Sequence, residues 1–238
     1  MPLSPEQEWT LLACGLVAHA DGVLDAAEFE QALWMLDERI DGEDNTAWVS
    51  RLGDEASLRA HAKTLQLPPP LFSEDILAKA WRMALSDGRG TAREAEVHDE
   101  IATMLGEDLT TVARWRDAWS TQAEARSELI AGFAAHIAQA DGQITAAERT
   151  SFATLLAHLP LAAGTEEAMR NLLEEPPEMM MLVGGFAALP AEERRIAMLE
   201  LVPVVSADGR DEVARRAFVE LAEAIAIDPA EAERMLDR

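Results

Sequence analysis

The chain has 238 residues, nearly half of them apolar, and its 44 acidic residues against 20 basic ones give a formal charge of −24. Residues 1–120 carry 23 acidic and 10 basic residues and residues 121–238 carry 21 and 10, so the charge is spread along the chain and is not an acidic tail. Such a surface repels nucleic acid and anionic lipid and attracts cations and basic partners. The single cysteine, Cys14, rules out an intramolecular disulfide.

The pattern along the chain is helical. Leu11, Leu12, Leu16 and Val17 keep a helical period, as do Phe29, Leu33, Leu36 and Ile40. Asp41–Asn45 reads as a polar loop, and Pro68-Pro69-Pro70 as a break between helices. Ser73 is expected to cap the next helix, which holds Ile76, Leu77 and Trp81. Residues 129–138 and 152–159 are again helical, and Ser120-Thr121-Gln122 is the expected junction between two domains. Met179-Met180-Met181 is expected as core filler. Gly184-Gly185 lacks the spacing and the lysine of a phosphate loop and suits close helix packing. Pro176-Pro177 and Pro190 mark boundaries, and Ala191 opens a further helix. Alanine is abundant, β-branched residues are few and strict alternation is absent, which predicts an all-α fold. No basic stretch leads into an apolar run at the N-terminus, and no stretch approaches the roughly 20 apolar residues of a membrane span. A soluble cytoplasmic protein is the expectation.

One short turn punctuates this pattern four times. It reads Ala20-Asp21-Gly22 through Glu28, Ser86-Asp87-Gly88 through Glu94, Ala140-Asp141-Gly142 through Glu148 and, degraded, Ala207-Asp208-Gly209 through Glu212. Asp21 and Asp87 are 66 residues apart, Asp141 and Asp208 are 67 apart, and the two pairs are offset by 120 and 121. That spacing predicts two tandem domains, 1–120 and 121–238, each with an internal repeat. Each turn also explains itself locally. A glycine closes one helix, and a cap residue with a glutamate three places on opens the next: Asp25 with Glu28, Thr91 with Glu94, Thr145 with Glu148. The aspartate before each glycine remains to be explained, because a carboxylate opposes the dipole at a helix C-terminus. Its partner is a turn N–H, a basic side chain or a cation.

The Asp–Gly to Glu separation matches the second half of an EF-hand loop, but Val17, Met83, Ile137 and Val204 fall where its first ligand would be. An EF-hand is therefore not expected. Two half-loops side by side could still gather Asp21, Glu28, Asp87 and Glu94 around calcium, magnesium or manganese. The second set would be Asp141, Glu148 and Asp208, with Arg215 in the fourth position as a candidate internal counter-ion. His19 and His136 lie near the turns but lack zinc-site spacing.

Two Ala/Ser-Asp-Gly turns about 66 residues apart in an all-helical domain of about 120 resemble the TerB-like tellurite-resistance family. The pattern is also similar to the N-terminal domain of a membrane-anchored DnaJ-type co-chaperone. The resemblance covers both halves through residues 20–28, 86–94, 140–148 and 207–212, with Leu105–Leu109 and Ile227–Ala230 each opening a short final helix. It implies two bundles of about seven helices, an acidic divalent-metal cluster at Asp21, Glu28, Asp87, Glu94, Asp141, Glu148 and Asp208, and a non-catalytic role in stress-response assemblies with protein partners. Arg215 departs from the family pattern, and with neither a J-domain nor a membrane span the co-chaperone role does not carry over. The alternatives are a structural scaffold with acidic capping turns and no metal, or a metal-dependent hydrolase.

Overall fold

The structure, a computed structural model, describes residues 3–20, 43–86, 88–207 and 212–237, without the side chains of 43–46 and 192. The described residues are all-α, with twelve helices and no strand. By its contacts the chain falls into two compact units, Met1–Thr121 and Gln122–Arg238. Among the described residues no helix is long and apolar enough to cross a membrane.

The first unit is built around α1 (Pro5–Ala18), in which every residue from Trp9 to Ala18 is buried. A capping box starts it: Ser4 Oγ accepts from the Gln7 amide, and the Ser4 amide donates to Gln7 Oε1 at 2.8 Å. Around it pack α2 (Glu43–Leu52), α3 (Glu55–Ala62), α4 (Ser73–Ala84) and α5 (Ala92–Leu105). Gly15 permits the closest approach, since a Cβ there would lie 2.6 Å from Leu52. The indole of Trp9 donates to the Gln66 carbonyl at 3.0 Å and fastens the segment after α3 to α1.

Three local expectations are corrected here. Glu43, Asp44 and Asn45 belong to α2 and not to a loop, while Asp41 and Gly42 of that expected loop lie outside the described residues. Ser73 is no cap: it is buried, helical, and the first residue of α4. The 3₁₀ turn Pro70–Phe72 precedes it, and the carbonyls of Pro69 and Pro70 accept from the amides of Phe72 and Ser73, which supplies what a side-chain cap would. The helix opened by Leu109 is not short. Helix α6 (Leu109–Ala138) runs 30 residues through the expected junction at 120–122, where no proline or glycine stops it.

The second unit holds the rest of α6 with α7 (Ala146–His158), α8 (Glu166–Asn171), α9 (Met179–Ala187), α10 (Ala191–Val205), α11 (Glu212–Ala224) and α12 (Pro229–Leu236). Its core combines Ile130, Phe133 and Ile137 of α6 with Phe152, Phe186, Met198, Leu201, Phe218 and Leu221. Glycines let α6 and α9 meet closely: a Cβ on Gly132 would come within 2.6 Å of Leu182, and one on Gly185 within 2.6 Å of Leu129.

Local devices recur 120 residues apart. Gly106 ends α5 at φ +83°, and the Glu107 amide donates to Ala102 O at 2.9 Å. Ala226 follows α11 at φ +62°, and the Ile227 amide donates to Ala222 O at 2.8 Å. Both are Schellman closures, the second made with a residue that has a Cβ. Asp108 and Asp228 then accept amide bonds at the starts of α6 and α12.

Candidate functional site

Of the seven proposed ligands, Asp21, Glu28, Asp87 and Asp208 lie outside the described residues. The other three have defined partners. Glu94 is buried, and its Oε2 accepts from the Thr91 amide at 2.6 Å while Thr91 Oγ1 accepts from the Glu94 amide at 3.2 Å. Glu148 repeats this with Thr145, at 2.7 and 3.1 Å. Exposed Asp141 turns one oxygen to the Gln143 amide at 2.8 Å. A turn N–H is thus its partner, the first of the three candidates from the sequence. Gly142 stands at φ +81°, the left-handed conformation the turn requires.

The three described carboxylates serve their own turns. Among the described residues no three His, Cys, Asp or Glu side chains come together as a metal-ligand group. The groove of about 340 Å³ beside the third turn is lined by Gln139, Gly142, Ile144, Arg149 and Glu174. Arg149 pairs with Glu174 at 2.9 Å, so this groove carries a cation of its own. Arg215 donates to Glu233 at 2.6 Å and to Asp237 at 3.2 Å, both in or just after α12. Its counter-ions are therefore the carboxylates of the last helix, not the Asp141–Glu148 turn.

At two of the four turns the side chain two residues before the Asp–Gly has a structural task. His19 Nε2–H donates to the Leu52 carbonyl at 2.6 Å, and the amide of Gln139 donates to the Leu173 carbonyl. Each ties a neighbouring segment to the residue that follows a helix, His19 after α1 and Gln139 after α6. His136, the other histidine near a turn, donates through Nε2 to the Pro177 carbonyl.

One buried and one half-buried polar centre were not singled out by sequence. In the first unit His98 is fully buried. Its Nε2–H donates to Leu77 O at 2.9 Å, which leaves Nδ1 to accept from Arg116 Nη1 at 3.2 Å. Arg116 also binds Asp99 and lies over the Trp81 ring. Trp81 and Trp119 set their rings edgewise to the imidazole. Burial pushes the His98 pKa down from 6.5 to about 4, partly opposed by the Leu77 bond and aided by the Arg116 charge.

In the second unit Arg126 pairs with Glu193. Glu200 stands two turns along α10 from Glu193 and keeps part of its surface open. Protein nonetheless encloses its carboxyl enough to push the pKa up from 4.5 to about 7, an effect lowered by Arg126 and raised by Glu193. Cys14 is inert by the same physics: full burial pushes its thiol up to about 12.

A second groove, of about 230 Å³, lies between α6, α9 and α11 and is floored by Phe133, Ile137 and Leu221. Its polar rim is His136, Arg216 and Glu220, the last two paired at 3.8 Å. The methionine expectation is overturned beside it: Met179, Met180 and Met181 are 41%, 83% and 71% exposed. Gly185 does pack closely, whereas Gly184 faces open space.

No family model matches this chain, and neither a curated protein nor a solved structure shows significant similarity to it.

Proposed function

We propose that this chain is a non-catalytic protein-interaction module of two tandem TerB-like helical bundles, whose acidic turns are capping devices that join helices. The observation that carries this reading is the reciprocal pairing of Thr91 with Glu94 and of Thr145 with Glu148. It gives each buried glutamate a local partner without a metal. A role without chemistry agrees with the grooves, whose polar groups are mostly spent on carbonyls and ion pairs. Helical faces then remain as the working surface, and the acidic charge selects basic protein partners over nucleic acid.

The competing proposal is a divalent cation (calcium, magnesium or manganese) held by Asp21, Glu28, Asp87 and Glu94. The fourfold recurrence of Asp–Gly favours it. Titration of metal-stripped protein with each cation, followed by tryptophan fluorescence and calorimetry, separates the two. The capping reading expects a flat titration, with Thr145→Ala costing about 1 kcal/mol. Saturable binding that is lost in Asp21→Asn would overturn it in favour of the cation site. Manganese-dependent phosphoester hydrolysis in the same preparation would favour a hydrolase.

A further inference from the structure

Helix α9 presents an outward face with no charge on it. Met180, Met181, Gly184, Ala187 and Ala188 are all exposed, at a spacing that puts them on one side of the helix and its first residue beyond. Exposed methionine is costly surface to leave in water, and contiguous apolar patches on soluble proteins mark interaction sites. Methionine is unbranched and polarisable, so it moulds to a partner's side chains without a preformed mate. Gly184, with nothing within 4 Å of where a Cβ would stand, offers a flat seat between the methionines and the alanines. Met179 lines the adjoining groove over Phe133, Ile137 and Leu221, so the apolar surface continues from the helix face into a depression.

The charges around this face decide what covers it. Between residues 171 and 193 there are five glutamates and no lysine, arginine or histidine. Glu174, Glu175 and Glu178 are exposed and lead directly into the methionines. Glu174 is engaged by Arg149, while Glu175 and Glu178 have no ion pair among the described residues. On the far rim Arg216 is matched by Glu220. A second copy of this chain would bring another −24 charges to an already acidic edge. A helix with an apolar stripe flanked by lysine or arginine fits both features at once: the stripe covers the methionines, and its cations meet the glutamates.

We propose that the α9 face is a docking site for a basic amphipathic helix of a partner protein. The proposal deepens the interaction-module reading and rests on it. The probe is a fluorescent leucine/lysine peptide of about 18 residues, five turns of helix, with a scrambled peptide of the same composition as control. The full-length protein is titrated into each, with methyl-labelled methionine spectra recorded in parallel. The expected result is saturable binding of the amphipathic peptide, a gain of helix in its circular dichroism, and shifts in the Met179, Met180 and Met181 methyls. Met180→Gln with Met181→Gln should weaken binding about tenfold, and Glu175→Lys with Glu178→Lys should do so comparably. These positions are exposed, and an unchanged melting temperature confirms that the variants fold. Equal binding of the scrambled peptide, unchanged affinity in the variants, or shifts confined to other methyls would each overturn the proposal. Self-association at rising protein concentration that is lost in the Gln variants would overturn it in favour of a second copy. Those results leave the interaction reading standing, whereas a positive cation titration ends that reading and leaves this face to be tested by the peptide alone.

Discussion

His98 shows how one side chain can be chemically distinctive and still have a structural role. Its two nitrogens are occupied in a fixed order, with Nε2–H on the Leu77 carbonyl and Nδ1 receiving the Arg116 guanidinium, and that order requires the neutral ring. Protonation would set a cation against Arg116, with Asp99 partly offsetting it. The folded pKa of about 4 lies below the ordinary 6.5. Between these values the unfolded chain binds more protons, so the stability that His98 contributes is complete above pH 6.5 and is lost as pH falls through 4. The full shift is worth at most about 3 kcal/mol. We expect the denaturation midpoint read by tryptophan fluorescence to drop between pH 7 and 4.5, and His98→Gln to flatten that slope. An equal slope in both proteins would assign the acid sensitivity to carboxylates instead. Nothing local in the sequence marks His98: its partners lie 21 residues before it and 18 after, and only tertiary packing brings them together. Thr91 and Glu94, by contrast, are three residues apart on one chain, and their pairing is legible as a pattern.

Helix α9 sets two neighbouring glycines in opposite environments. A Cβ on Gly185 would come within 2.6 Å of Leu129 in α6, while one on Gly184 would meet nothing within 4 Å. Glycine in an exposed helix interior is about 0.8–1 kcal/mol less favourable than alanine. Gly184→Ala should therefore raise stability by up to that amount. Gly185→Ala gains the same propensity but must displace the end of the Leu129 side chain, so it should stabilise less than Gly184→Ala or lower stability by up to about 1 kcal/mol. Urea melts followed by circular dichroism read both, and a gain at Gly185 equal to or above that at Gly184 would contradict the packing described. The Gly-Gly dipeptide signalled close packing in the sequence, but its phase on the helix could not be read there. The methionines posed the same problem. An apolar triplet announces a buried face only if a neighbour covers it, and no composition states which face is covered. Helix α6 failed to be read for a different reason: the Asp108–Leu109 start announced a short final helix, yet the residues through the 120–122 junction are all compatible with helix and no turn residue interrupts them.

At the scale of the whole chain, the two units carry titrating groups shifted in opposite directions, His98 fully buried and Glu200 half-buried. His98 in the first is held neutral by losing a proton, and Glu200 in the second by keeping one. For Glu200 the folded pKa of about 7 lies above the ordinary 4.5, so the folded state binds more protons in that window. Its stabilising effect is present below pH 4.5 and is lost as pH rises through 7. Mild acidification should therefore weaken the first unit and strengthen the second. The sequence supplies a way to see this, because all six tryptophans fall at or before residue 119. Fluorescence reports the first unit alone, and circular dichroism reports both. From pH 7.5 to 5.5 the fluorescence melting temperature should fall while the remaining dichroism transition rises. Glu200→Gln removes the ionisation without removing the side chain, so it should raise the second transition at pH 7.5 and leave it nearly unchanged at pH 4.5. A neutral outcome at both values would mean that Arg126, already paired with Glu193, also compensates the Glu200 carboxylate in full. That would show the second unit tolerating a half-buried charge, and the opposed pH response of the two units would then be lost.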